Sequence, residues 1–404
     1  MSDSFTESSN QSIFGRLGDA IKGVLFGLLL IPGAIVLLFW NEGRAVKTAA
    51  SLKEGAAAVV SVVADAVQPA NEGKLIHLTG KATTAETVTD PMFAVSQPAI
   101  RLTRTVEMYQ WKEDKESKTH KKLGGGSETQ TTYTYRKVWS DKLIESGEFK
   151  QPADHQNPAA MIASSLVTTA GHVTLGKFVL PAEIISKLEG DQPLPIFGPD
   201  LKKLPADLQA KVKSVGDTFY VAARPATVTT AEADPVAPAT ADSAAPAVGD
   251  QRVKFTVLKP ATFSILARQS GETLAAYPTK AGRSIERVES GDVPASAMFQ
   301  HAEHENSMWA WGLRLGGTIL MAIGFGLLLR PLATLADVVP ILGDLVGMGM
   351  GFAALVLSVI ISIVVIAVAW FVVRPLLSVA LVVAAVGTFV LGKKLAGKKK
   401  PAVQ

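Results

Sequence analysis

The sequence predicts a mixed fold, with four transmembrane α-helices and a large β-rich α+β extracytoplasmic domain. Three observations predict it. Apolar residues crowd into one block near the start of the 404-residue chain and a longer region at its end. Between these lies a long polar stretch with alternating strand-like segments. The chain then closes on Lys393, Lys394, Lys398, Lys399 and Lys400, a basic run directly after apolar sequence, as on the cytoplasmic side of a membrane.

Residues 1–20 form a cytoplasmic N-terminal segment in this reading. The first span, residues 21–40, carries no charge after Lys22 and ends on Trp40. About twenty helical residues cross the roughly 30 Å hydrocarbon core, and an aromatic side chain suits the interface. A cleaved signal peptide is the competing reading, but no small-x-small site follows closely; the nearest candidates fall near Thr48 to Ala50.

Residues 41–308 form the outer domain. Thr105–Trp111 and Thr131–Trp139 are rich in strand formers, with Tyr133, Tyr135 and Trp139 on one face. The charged stretch between them, Lys112–Gln130 with Gly124-Gly125-Gly126, predicts a long flexible hairpin loop. Val253–Val257 and Ser264–Ala267 predict further strands; Ile184–Leu188 and Pro205–Val212 predict short helices. Residues 226–249, rich in Ala, Pro and Thr, predict a flexible linker that interrupts the domain or separates two lobes.

The second span, 309–329, opens on Trp309 and Trp311, with Arg314 one turn inside and able to snorkel to the headgroups. Residues 330–345 predict an interfacial loop with a short helix, with a re-entrant segment as the alternative. The third span, 346–373, is long enough to tilt. The fourth, 376–391, is short and fenced by Arg374 and the lysines; Arg374-Pro375 makes the corner. Residues 392–404 form a basic cytoplasmic tail. Four spans put both ends on one side and residues 41–308 on the other.

The net charge of +4 is small, and no basic aromatic module accompanies the tail, which argues against nucleic-acid binding. With no cysteine there is no disulfide framework, thiolate metal site or cysteine nucleophile. His301-Ala302-Glu303-His304-Glu305 is the densest set of metal-ligand types, but it lacks the H-E-x-x-H spacing and reads as a polar helix entering the second span. Gly171 to Lys177 has phosphate-loop spacing, but Phe178 stands where a hydroxyl should hold magnesium, so a turn leading into a strand is expected. Gly347, Gly349 and Gly351 head an apolar span with no strand before them and read as close helix packing. Ser358 and Ser362 share a face of that span and read as bonding to backbone or a neighbouring helix. Asn41, Glu42 and Arg44 read either as a contact with the second-span entrance or a partner, or as a helix end capped by Gly43. No G-x-S-x-G elbow is present. Catalytic, cofactor-binding and metal residues are therefore expected to be none.

Several strings carry a resemblance in order and spacing: Asn41-Glu42-Gly43-Arg44-Ala45, Pro69-Ala70-Asn71-Glu72-Gly73-Lys74-Leu75, Met108-Tyr109-Gln110-Trp111, Thr279-Lys280-Ala281-Gly282, Asn306-Ser307-Met308, Trp311-Gly312-Leu313-Arg314, and Trp370 with Arg374-Pro375-Leu376. Across residues 15–392 the chain resembles the LUMA (transmembrane protein 43) family. The resemblance implies four spans, a lumenal domain between the first and second, and no enzymatic activity. It also implies a role in organising membrane protein complexes; eukaryotic members are linked with lamins and emerin at the endoplasmic reticulum and inner nuclear membrane. The alanine-rich sequence and its Ala/Pro linker look bacterial, and a bacterium has no lamina. The expectation is a non-enzymatic, multi-pass scaffold of the bacterial inner membrane with residues 41–308 periplasmic, no cofactor, and membrane lipids, other integral membrane proteins or further copies of the chain as partners. The alternatives are an envelope protein whose outer domain binds lipid or a small ligand, and a membrane hydrolase with an unrecognised site.

Overall fold

The computed structural model describes residues 3–195, 202, 204–215, 217–223 and 246–373. It contains five helices among these residues: α1 (Ile13–Ala58), α2 (Ala182–Ser186), α3 (Ala206–Gln209), α4 (Ala295–Ala336) and α5 (Pro340–Val373). Three of them, α1, α4 and α5, are long and apolar enough to cross a membrane. The fourth span predicted at 376–391, the tail at 392–404, Arg374-Pro375, and the linker up to residue 245 lie outside the described residues.

The spanning helices are longer than the hydropathy suggests. α1 has 46 residues, about 70 Å at helical rise, so its last turns stand inside the outer domain. Gly43 is therefore not a cap: Arg44–Ala58 is rich in Ala, Leu, Lys and Glu and carries the helix on. Likewise α4 begins at Ala295, ahead of the apolar run. The loop predicted at 330–345 is also corrected. α4 continues through Pro331 to Ala336, only Asp337–Val339 turns, and Pro340 starts α5. Proline suits a first helical turn, whose N–H would have no partner anyway.

The outer domain has two main sheets. The first, in spatial order, runs Asp3–Gln11, Ser127–Ser140, Arg101–Lys121, Gln251–Leu258, Thr218–Val221, Val212–Val215, with two short strands added at Gln192–Pro193 and Leu166–Thr169. The second runs Arg287–Ser290, Ala261–Ser270, Thr273–Ala275, Phe178–Val179, Thr174–Leu175, Leu75–Thr83, Val60–Val63, and Ala261–Ser270 also pairs directly with Leu75–Thr83. Each of the four strands predicted lies inside an observed one, and α2 and α3 overlap the two predicted short helices. Alternating side chains from both sheets make one core, with Phe178, Phe219, Phe255 and Phe263 fully buried. The strands flanking the linker are neighbours, Phe219 opposite Val253, so the linker interrupts one sheet and does not separate lobes. A smaller cluster of Leu52, Leu75, Leu266, Ile285, Met298 and Phe299 joins the second sheet to α1 and α4.

The stretch Lys112–Gln130 is not a flexible loop. Strand pairing continues to Lys121 opposite Ser127, leaving a short glycine turn. Its polar side chains pair across the strands: Ser117 with Thr131 at 3.0 Å and Thr119 with Thr129 at 2.9 Å between hydroxyls, and Lys122 with Glu128 at 2.8 Å. Such pairs support a two-sided polar ribbon, which alternation of hydrophobicity does not reveal. The N-terminal strand Asp3–Gln11 adds to this ribbon, antiparallel to Ser127–Tyr135. At the ribbon's tip Lys121 Nζ reaches Asp337 Oδ1 (2.6 Å) and Asp344 Oδ1 (2.7 Å), while Arg16 pairs with Asp337 and donates to Gly125 O at 2.6 Å.

Candidate functional site

The residues singled out at the ends of the spans come together where α1 leaves its apolar stretch. On α4, Asn306, Ala310 and Arg314 are spaced by four and share one helix face. They meet Asn41, Glu42 and Arg44 of α1. Asn41 Nδ2 donates to Ala310 O at 3.0 Å, Arg44 Nη1 to Asn306 Oδ1 at 3.2 Å, and Asn306 Nδ2 to Ala45 O at 2.9 Å. Arg314 grips the Glu42 carboxylate with two donors, Nε to Oε1 at 2.6 Å and Nη2 to Oε2 at 2.7 Å. From α5, Trp370 Nε1 donates to Glu42 Oε2 at 2.7 Å. One carboxylate thus ties three helices. Of the two readings of Asn41, Glu42 and Arg44, the contact with the second-span entrance is the one observed.

Glu42 is 1% exposed and Asn41 fully buried. A buried carboxylate is tolerable only when paired and hydrogen-bonded, and a fork-to-carboxylate grip is the strong form of that pairing. With both oxygens engaged, Glu42 is arranged to hold helices and not to accept a proton from a substrate. Arg314 also lies 4.8 Å over the Trp311 ring, a cation–π contact in place of the snorkelling expected. The Thr279–Gly282 loop docks about three turns further along α1: the Ser51 and Thr279 hydroxyls are 2.6 Å apart, and the Lys280 amide donates to both Glu54 oxygens at 3.0 Å.

Other residues named from sequence lie elsewhere. His301 is exposed on α4 and sits 2.8 Å from Glu289, and Arg287 pairs with Glu305 at 2.8 Å; among the described residues no three potential metal ligands converge. The Gly171 and His172 amides donate to the Glu86 carboxylate at 2.8 and 2.6 Å, and the turn at Gly176 leads into Phe178–Val179, as the turn reading expects. Ser358 Oγ donates to Leu355 O, and buried Ser362 lies 3.8 Å from Met321 Sδ on α4.

Among the described residues, the close packing expected at the α5 glycines is found elsewhere. No described atom outside the local helix lies within 4 Å of a β-carbon placed on Gly347, Gly349 or Gly351. The close approach is between α1 and α4 instead. A β-carbon on Gly27 would stand 2.7 Å from Gly324 O, one on Gly324 2.7 Å from Ile31, and one on Gly317 2.7 Å from Leu38. The Gly23-x-x-x-Gly27 spacing was the signal for this pairing. The tip contacts of Asp337 had no such signal, because they join residues 216 and 321 positions apart.

Comparison with known proteins agrees with this architecture. Residues 108–375 match the family model for Transmembrane protein 43. Transmembrane protein 43 of Mus musculus is 33% identical over 382 residues, covering 92% of this chain and 89% of that protein. The Homo sapiens protein is 33% identical over 380 residues, covering 91% and 89%. A Drosophila melanogaster homologue is 28% identical over 371 residues, covering 91% and 93%. No solved structure matches. The chain, an integral multi-pass membrane protein whose first, second and third apolar helices meet at Glu42, belongs to the transmembrane protein 43 (LUMA) family.

Proposed function

We propose that this chain is a non-enzymatic scaffold that organises membrane protein complexes through its helices and its outer domain. In the same reading it sits in a bacterial inner membrane with the bulk of residues 41–308 periplasmic. The observation that carries it is the division of labour in the bundle. At the outer end the Glu42 carboxylate is turned inward and both of its oxygens are taken by the chain itself. Meanwhile Met348, Phe352 and Ile363 of α5 are 67%, 68% and 62% exposed, an apolar face suited to lipid or to other membrane helices. Its partners are other integral membrane proteins and further copies of itself. Crosslinking in native membranes, followed by affinity purification and quantitative mass spectrometry, tests this. A small reproducible set of membrane partners is expected; self-crosslinks alone, with no other membrane protein changed in abundance or assembly on loss of the gene, would remove the scaffold.

A further inference from the structure

A cavity of about 540 Å³ opens beside α1 at the level where the helix leaves its apolar stretch. Its lower wall is apolar: Ile35, Val36, Phe39 and Trp40. Its upper rim is cationic: Arg44 and Lys47 of α1, and Arg283 from the loop that docks on α1. The register explains the division. Val36, Trp40 and Arg44 form one row spaced by four, and Phe39, Gly43 and Lys47 form the row beside it, so a single helix face changes from apolar to basic within one turn. Gly43 sits between the two zones, and no described atom outside the local helix lies within 4 Å of a β-carbon placed on it; it leaves the floor open.

The rim is electrostatically incomplete. Lys47 and Arg283 are exposed and make no ion pair among the described residues. The nearest carboxylate along α1, Glu42, is taken by Arg314 and Trp370. Arg44 Nε is buried without a hydrogen-bond partner. Burial, and secondly the charge on Arg283, hold the Arg44 guanidinium below its usual range. Three cations above an apolar trough at a membrane interface call for an anion that carries its own hydrocarbon.

We infer that this cavity binds an anionic phospholipid, its phosphate held by Arg44, Lys47 and Arg283 and one acyl chain lying along Val36, Phe39 and Trp40. The inference rests on the membrane placement of α1 and does not depend on scaffolding. The test uses the full-length protein in detergent, with phosphatidylglycerol, phosphatidylcholine and inorganic phosphate as separate probes and native mass spectrometry counting bound lipid. Phosphatidylglycerol is expected to be retained at least about tenfold better than phosphatidylcholine. Lys47→Glu/Arg283→Glu should abolish that preference while leaving the melting temperature unchanged. Gly43→Leu, which fills the floor and keeps every cation, should lower lipid retention and serves if the charge-reversal variant misfolds. Equal retention of the two lipids, or a preference that survives both variants, would mean a lipid of the general annulus and would overturn the site. Displacement of phosphatidylglycerol by inorganic phosphate would assign the cations to free phosphate and equally overturn the lipid.

Discussion

Glu42 brings a carboxylate charge into a position 1% exposed, at the top of an apolar bundle. Left alone there it would cost several kcal/mol; Arg314 and Trp370 offset that cost and in doing so fix the relative heights of α1, α4 and α5. Such a pair contributes little net stability against an apolar replacement, but breaking one side leaves an uncompensated charge, worth about 3–5 kcal/mol. Glu42→Ala is therefore expected to be strongly destabilising in detergent, and Arg314→Ala likewise. Glu42→Ala/Arg314→Ala should cost less than the sum of the two, because neither charge is then stranded. Strict additivity in a double-mutant cycle, followed by thermal unfolding, would mean that the two residues do not act as a pair. The individual residues of this site were visible in the sequence as charges at span ends. Contact with the second-span entrance was one of two readings of Asn41, Glu42 and Arg44; the individual pairings, Glu42 with Arg314 and Trp370 above all, were not legible, because hydropathy reports depth along one helix and says nothing of which face meets which neighbour.

Among the elements, the α1–α4 contact is set by backbone proximity. Gly27 and Gly324 face each other so closely that a β-carbon on either would press on the other helix. In lipid no hydrophobic force drives helices together, so close packing of this kind carries the association. Gly27→Leu should separate α1 from α4 and lower the yield and the melting temperature of the purified protein. Gly351→Leu, with open space around it among the described residues, should leave both unchanged; the reverse ranking would move the packing seam to α5. The strands of the outer domain were legible where one face is buried, as in Gln251–Leu258 with its alternating burial. The outer part of the ribbon, from Glu116 to Lys121 and from Ser127 to Thr132, escaped notice for the opposite reason. Both of its faces are polar there, and its pairing is held by hydroxyls and ion pairs rather than by a hydrophobic face. The extension of α1 over Arg44–Ala58 escaped notice too, since it is helical through propensity and docking and not through greasy composition, whereas the polar helix ahead of the second span was legible at His301–Glu305.

At the scale of the molecule, hydropathy and strand pairing place the N-terminal segment differently. Counting spans puts residues 1–20 and 41–308 on opposite faces of the membrane. In the structure Asp3–Gln11 lies along Ser127–Tyr135, His155 Nε2 is 2.9 Å from Asp3 Oδ2, and the ribbon tip meets Asp337 beyond the far end of the apolar run of α4. From Phe299 to Asp337 is about 57 Å of helix, so a ribbon whose tip meets Asp337 passes the level of the apolar run of α4. Its charges include Lys112, Glu113, Asp114, Lys115 and Glu116. Each would cost about 2.5–3.5 kcal/mol at the centre of a bilayer, a sum that the ion pairs of Lys121 and Arg16 with the buried Asp337 at the tip do not match. Lipid against the ribbon would therefore pull it away. The arrangement holds in a membrane where water or protein covers that flank, the only setting in which non-helical backbone is found at such depth. The scaffold proposed above would supply such a cover through partners or further copies against the bundle.

Strand, ribbon and helices are joined as one unit, and the cysteine-free chain makes that arrangement directly testable. The Thr6 and Thr132 hydroxyls are 3.1 Å apart across the strand pair, close enough for a disulfide. Thr6→Cys/Thr132→Cys, oxidised in intact native membranes, is expected to form an intramolecular crosslink seen as a mobility shift that reductant reverses. No crosslink, together with labelling of the two cysteines by an impermeant thiol reagent from opposite sides of the membrane, would contradict the pairing and place the N-terminal segment across the bilayer from the ribbon.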